Sequence, residues 1–159
     1  MKKADIVAAA RAQIRRDLER TRARAEETRQ AATHEEARPE NDKDTRGLEA
    51  SYLARGQAMR AEELEEADGR LRFLALRDYG PDDPIGLAAL ITVEVDEDER
   101  LYFLSPVSGG LEVEVDGQRV QLITPASPVG RALVDKLEGD ELDLRLAGRT
   151  RTLTITKLS

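Results

Sequence analysis

The apolar positions of this chain change their period once, near residue 77. Over 4–36 there is no Gly or Pro, and Ile6, Ala10, Ile14, Leu18, Ala25 and Ala32 recur at spacings close to one helical turn. Ala, Arg, Glu and Gln fill most of the remaining positions, residues that lose little side-chain freedom in a helix. A second run over 45–77 places Leu53, Gln57, Arg60, Leu64, Ala67, Leu71 and Leu74 at alternating four- and three-residue steps, the spacing of a coiled-coil seam. At roughly 1.5 Å per residue each run would be about 50 Å long. The seam is polar at its start and apolar farther on, so its stability should concentrate over 64–74. Between the runs, Pro39 stops the first helix, and 41–45 supplies turn and capping residues. Two runs of matched length joined by a short turn should fold back antiparallel, giving a helical hairpin over 1–77 with its tip near 38–48.

Beyond this hairpin the period falls to two. The stretch 78–84 carries Pro81, Pro84 and several aspartates and reads as a linker. Short alternating runs at 87–95, 101–104, 111–115, 119–124, 141–146 and 150–156 predict strands, with Asp116-Gly117 a hairpin turn between two of them. Ser127 followed by Pro128 marks a helix start: a side-chain cap, then the residue whose missing N–H costs nothing there. That helix should run over 127–136, after which Gly139 and Asp140 turn the chain into Leu142, Leu144 and Leu146. The fold class expected is therefore α+β: an N-terminal antiparallel two-helix arm, then a small β-rich domain over 85–159 with one short helix.

Composition sharpens this picture. Charged residues make up 36% of the chain and aromatics 3%, with no Trp, which suits an exposed helical arm better than one large core. With no Cys and a single His, His34, neither thiolate nor His-rich metal chemistry is available. No apolar run has the length of a membrane span and the first residues lack a signal h-region, so a cytoplasmic protein without membrane contact is expected.

The net charge of −7 is unevenly spread. Residues 2–24 hold eight basic residues against three acids, whereas 35–50 holds six acids against three basic residues. A basic helix leading to an acidic tip suits a charged, elongated partner surface, although a solvated face laced with salt bridges is the plainer account. The overall negative charge argues against independent binding to DNA.

At the tip, Glu40, Asp42 and Asp44 alternate around the turn, the hard oxygen donors that a cation such as Mg²⁺ prefers. Asp and Asn are also ordinary turn and cap residues. Tyr52 lies near the tip in sequence, where an aromatic is more often a packing residue.

The segment 127–140 resembles the Ser-Pro-x-x-x-Ala-Leu-x-Gly-Lys-x-x-Gly-Asp signature of the Gre family (GreA/GreB-type) of bacterial transcription cleavage factors. Ser127, Pro128, Arg131, Ala132, Leu133, Lys136, Gly139 and Asp140 fit that pattern, and Asp135 stands where Gly is usual. Arm, tip, linker and β domain also follow in the family's order. The resemblance implies an FKBP-like C-terminal domain that docks on RNA polymerase, here through Ser127, Pro128, Arg131 and Lys136. It implies an arm that enters the polymerase's secondary channel, with Arg15, Arg16, Arg20 and Arg22 near the nascent RNA 3′ segment.

In the family the tip carboxylates help hold a Mg²⁺ ion so that the polymerase cleaves its own backtracked RNA. Here Asp42, Asp44 and Glu49 are the candidates, the ion being shared with the polymerase and not held stably by this chain alone. The family's tip wording, Gly-Asp-Leu-x-Glu-Asn-Ala-Glu-Tyr, aligns on Tyr52 with Asp44-Thr-Arg-Gly-Leu-Glu-Ala-Ser-Tyr52, which puts the acidic pair on Thr45 and Leu48. This departure favours a regulator that modulates or inhibits synthesis over one that stimulates cleavage. Either way the chain would be an accessory factor acting as a monomer and not an enzyme.

Two other classes remain weaker. Prolyl isomerisation needs a pocket lined by several aromatics, and the β domain offers Tyr102 and Phe103, adjacent and so on opposite faces of a strand. A scaffold would dimerise the hairpin into a four-helix bundle, which the Ala- and Arg-rich seam disfavours.

Overall fold

The computed structural model describes residues 1–36 and 43–159, and the side chains of 1–34 and 47–159. Two long helices, α1 (Lys3–Glu36) and α2 (Lys43–Arg72), precede six strands: β1 (Leu90–Val95), β2 (Asp98–Leu104), β3 (Glu112–Val115), β4 (Gln118–Ile123), β5 (Glu141–Leu146) and β6 (Arg149–Leu158). A short helix, α3 (Pro128–Leu133), lies between β4 and β5. The expected α+β class and element order are therefore observed. Two compact units divide the chain, Ala12–Gly69 and the remainder, Met1–Arg11 with Arg70–Ser159, so the first turns of α1 and the last residues of α2 group with the sheet.

In the Ala12–Gly69 unit the two helices are antiparallel. Arg15 pairs with Asp68, Arg22 with Glu65, and the Gln57 amide donates to Thr28 Oγ1 at 3.3 Å, so partners descend α2 as they climb α1. Ile14, Leu18 and Leu64 are buried. Thr21, Ala25, Thr28 and Ala32 continue the inward stripe of α1 half-buried. On α2 the inward positions are Gln57, Ala61, Leu64, Ala67, Asp68 and then Leu71, not the expected set throughout. Arg60 is exposed and pairs with Glu63 at 3.2 Å, and Leu53 is 55% exposed. The small Ala61 takes the place expected for Arg60, because a seam this narrow admits a methyl group and not a guanidinium stem. Gln57 Oε1 is buried without a hydrogen-bond partner.

The other unit is built on one mixed sheet of order β3-β4-β2-β1-β6-β5, in which β2 and β4 are parallel and all other neighbours antiparallel. Three hairpins with two-residue turns make most of it: Asp96-Glu97, Asp116-Gly117 and Ala147-Gly148, every one of these six residues having positive φ. Paired positive φ is what the right-handed twist of the flanking strands demands. One face of the sheet buries Ile91, Val93, Val95, Tyr102, Leu104, Leu153 and Ile155, joined by Tyr79, Ile85 and Leu133. The strand register sends Leu90, Phe103, Val120 and Leu122 to the opposite face, and these too are buried. Both faces of the central strands are thus withdrawn from water.

Among the boundaries that differ from expectation, those of α2 and β1 have a visible reason in the packing. Helix α2 ends at Arg72, short of the expected 77, because the chain must turn so that Tyr79 reaches the core, where its hydroxyl donates to Leu87 O at 2.8 Å. The Tyr79 ring is flanked by Arg77 at 4.0 Å and Lys3 at 5.0 Å, and burial holds the Lys3 ammonium below the usual lysine pKa. Strand β1 begins at Leu90 and not at 87, since Ala88 takes φ of 69° and Ala89 N donates back to Gly86 O in a turn.

Candidate functional site

The residues singled out by the Ser-Pro motif form one local unit around α3. Ser127 sits just before the helix in extended conformation; its Oγ accepts from Gly130 N at 3.0 Å and donates to Thr124 O at 2.7 Å. Pro128 follows at the first helical turn. This geometry leaves no room at Gly130: a Cβ there would lie 1.9 Å from Thr124 O. The helix stops after one and a half turns because Asp135 adopts φ of 64°, and its N–H then donates to Ile85 O at 3.0 Å. The left-handed conformation is why a glycine is the natural occupant of that position.

The motif thereby separates into two groups. Leu133 is buried, Gly139 takes φ of 89° and donates to Ile155 O, and Asp140 Oδ2 accepts from Leu137 N at 2.9 Å. These residues, with the Ser127 hydroxyl, build the unit. Pro128, Arg131 and Lys136 are exposed, and no ion pair engages Arg131 or Lys136 among the described residues. A partner approaching this corner would meet two cations beside a rigid proline.

The arginines of α1 are less free than their sequence suggests. Arg15 pairs with Asp68 at 3.3 Å, Arg20 with Asp17 at 3.7 Å, and Arg22 with Glu65. Arg16 is exposed and has no ion pair among the described residues. Farther along, Arg29 and then Gln30 donate to Glu26, holding its carboxyl below the usual range. Exposed pairs of this kind are screened by water and add little stability, so they orient the side chains more than they lock the helices together.

Of the three candidate metal ligands, Asp42 lies outside the described residues, as do Pro39, Glu40 and Asn41. The backbone of Asp44 lies in the first turn of α2, and Glu49 is exposed two turns into the helix. No group of three His, Cys, Asp or Glu suited to a metal ion occurs among the described residues. His34, Leu48 and Tyr52 are also exposed. In the sheet, Tyr102 and Phe103 are both buried in β2 and face opposite sides, so the two aromatics do not line a common pocket. No described helix is long and apolar enough to cross a membrane.

The class the fold defines is a long antiparallel helical hairpin followed by a six-stranded mixed sheet with one short helix. Solved structures similar to this chain include the GreA factor homolog 1 (Gfh1) of Thermus thermophilus, at 19% identity and a TM-score of 0.40 over 95% of each chain. Gfh1 of Thermus aquaticus is similar at 20% identity and a TM-score of 0.40, over 95% of this chain and 94% of that one. A GreA/GreB transcription elongation factor from Nitrosomonas europaea aligns over 60% of this chain and 78% of its own, at 19% identity and a TM-score of 0.38. No model of a known protein family matches the sequence, and none of the curated proteins matches it.

Proposed function

We propose that this chain is a transcription elongation regulator that binds bacterial RNA polymerase through its sheet domain and directs its helical arm to the secondary channel. The observation that carries this reading is the α3 unit: a Ser127 cap, Pro128, and exposed Arg131 and Lys136 on a turn closed by Gly139 and Asp140, in a chain that begins with a long helical hairpin. Arm and docking corner have separate tasks on this account. Pro128 and the two cations engage the polymerase surface, while the arm supplies reach. Arg16, which has no ion pair among the described residues, is the one of the four candidate arginines best placed to meet a phosphate of the extruded RNA.

The tip sets the mode of action. Thr45 and Leu48 stand where the resemblance calls for acids, so the arm would modulate or inhibit synthesis more readily than stimulate cleavage. A Mg²⁺ ion, if shared with the polymerase, would be met by Asp42, Asp44 or Glu49, and hydrolysis would remain the polymerase's own chemistry. The chain would thus be an accessory factor, without catalysis of its own and active as a monomer.

The test uses stalled, backtracked elongation complexes of the cognate polymerase. Binding with slowed extension and no RNA cleavage is expected. Cleavage abolished by Asp42→Ala or Asp44→Ala would instead assign the tip to metal delivery, and failure to bind would overturn the polymerase reading.

A further inference from the structure

The end of α2 carries a feature that neither the helix seam nor the α3 corner uses. Over 70–77 the chain has three arginines, Arg70, Arg72 and Arg77, and no acid, within a protein of net charge −7. Phe73 lies among them and is 80% exposed, more than any other large apolar side chain described. Its orientation is set by register: Leu71 is buried and Leu74 half-buried, so the side chain between them must face outward. Leu76 extends the apolar surface at 42% exposure. The Arg72 guanidinium lies 5.4 Å from the Phe73 ring centroid, which restrains both side chains before any partner arrives.

A lone exposed apolar residue is ordinary, but an outward aromatic held against Arg72 within an acid-free, arginine-bearing run has the make-up of an interface anchor. Charge identifies the occupant. A nucleic acid would also meet Asp78, an exposed acid that follows the run directly and repels phosphates. A protein can place carboxylates opposite the arginines and an apolar pocket over the ring while avoiding that acid.

We propose that Phe73, with Leu76 and the exposed Arg70 and Arg72 just before it in the chain, forms a second protein-docking surface, whose partner presents an apolar pocket rimmed by carboxylates. Resting on the reading above, the polymerase is that partner, held here independently of α3.

The experiment measures binding of the full-length chain to cognate core polymerase at low and moderate salt. Wild type is compared with Phe73→Ser, Arg70→Glu/Arg72→Glu and Lys136→Glu, each checked for an unchanged melting temperature. All four side chains are exposed, so their replacement leaves the core packing intact. The expected result is about tenfold weaker binding for Phe73→Ser, and for the double reversal a loss of similar size together with a shallower salt dependence. If wild type and Lys136→Glu differ while both 70–77 variants match wild type, the second surface is refuted and the polymerase reading stands. No binding by wild type removes both. Wild-type binding to a labelled single-stranded RNA, lost in Phe73→Ser, would overturn the assignment to a protein partner.

Discussion

The arm and the sheet unit solve the same burial problem at opposite extremes. Between Ala12 and Gly69 the buried apolar side chains are Ile14, Leu18 and Leu64, and the rest of the described seam is Thr, Ala, Gln and Asp at partial burial. In the other unit the central strands bury branched aliphatics on one face and Phe103, Leu90, Val120 and Leu122 on the other. Helix α2 is weakened further by Gly47, Gly56 and Gly69, none with any atom within 4 Å of where a Cβ would sit. The lesson is a division of labour: the sheet fixes side chains by close packing, whereas the arm stays helical through composition and a few apolar layers, leaving its surface to charge.

Substitutions can break or sharpen that contrast. The largest effect belongs to the sheet unit. Gly130→Ala should destabilise it by about 3 kcal/mol or more in chemical denaturation, since the clash is with backbone and no side chain can yield. Within the arm, Leu64→Ala should cost about 2–3 kcal/mol and Leu53→Ala less than about 0.5 kcal/mol. Equal losses at the two leucines would mean that the apolar end does not dominate the hairpin. Gln57→Leu removes a buried, unpartnered carbonyl and should stabilise the arm by about 1 kcal/mol, read as an upward shift in helical melting by circular dichroism. Gly56→Ala, into open space, should add about 0.5–1 kcal/mol by the same measure. The smallest change is expected for Asp135→Gly. Relief of the left-handed strain should gain about 0.5 kcal/mol, and a loss there would show that the Asp135 side chain, not its backbone angle, matters.

Long-period features were the most legible in the sequence. The run over 4–36 became Lys3–Glu36, and Asp116-Gly117 became a tight turn, because helix formers without breakers and a glycine at a positive-φ site leave few alternatives. Strand β2 begins at Asp98, earlier than the expected 101, since the residues Asp98, Glu99 and Arg100 lie on a solvated hairpin and carry no apolar alternation. The turn Asp96-Glu97 has no glycine to announce it; an ion pair from Arg151 to Asp96 holds that corner instead. On α2, heptad counting put Arg60 in the seam, while packing chose Ala61 one residue later. The Ser-Pro motif was visible as wording, but only the fold separates its exposed members, Pro128, Arg131 and Lys136, from those that build the turn. The ion pairs of Arg15 and Arg22 join residues more than 40 positions apart, beyond what local spacing reveals.

The three two-residue hairpins also have a kinetic meaning. Each joins strands adjacent in sequence, so β1–β2, β3–β4 and β5–β6 need only local chain searches, of a kind completed in about 1–10 μs. What remains is to lay β4 along β2 and, at the longest range, to bring Val95 beside Leu153 and Val93 beside Ile155, pairings that span most of the domain. Closing that long loop is the entropic bottleneck, so the meeting of β1 with β6 should set the pace at which the sheet folds.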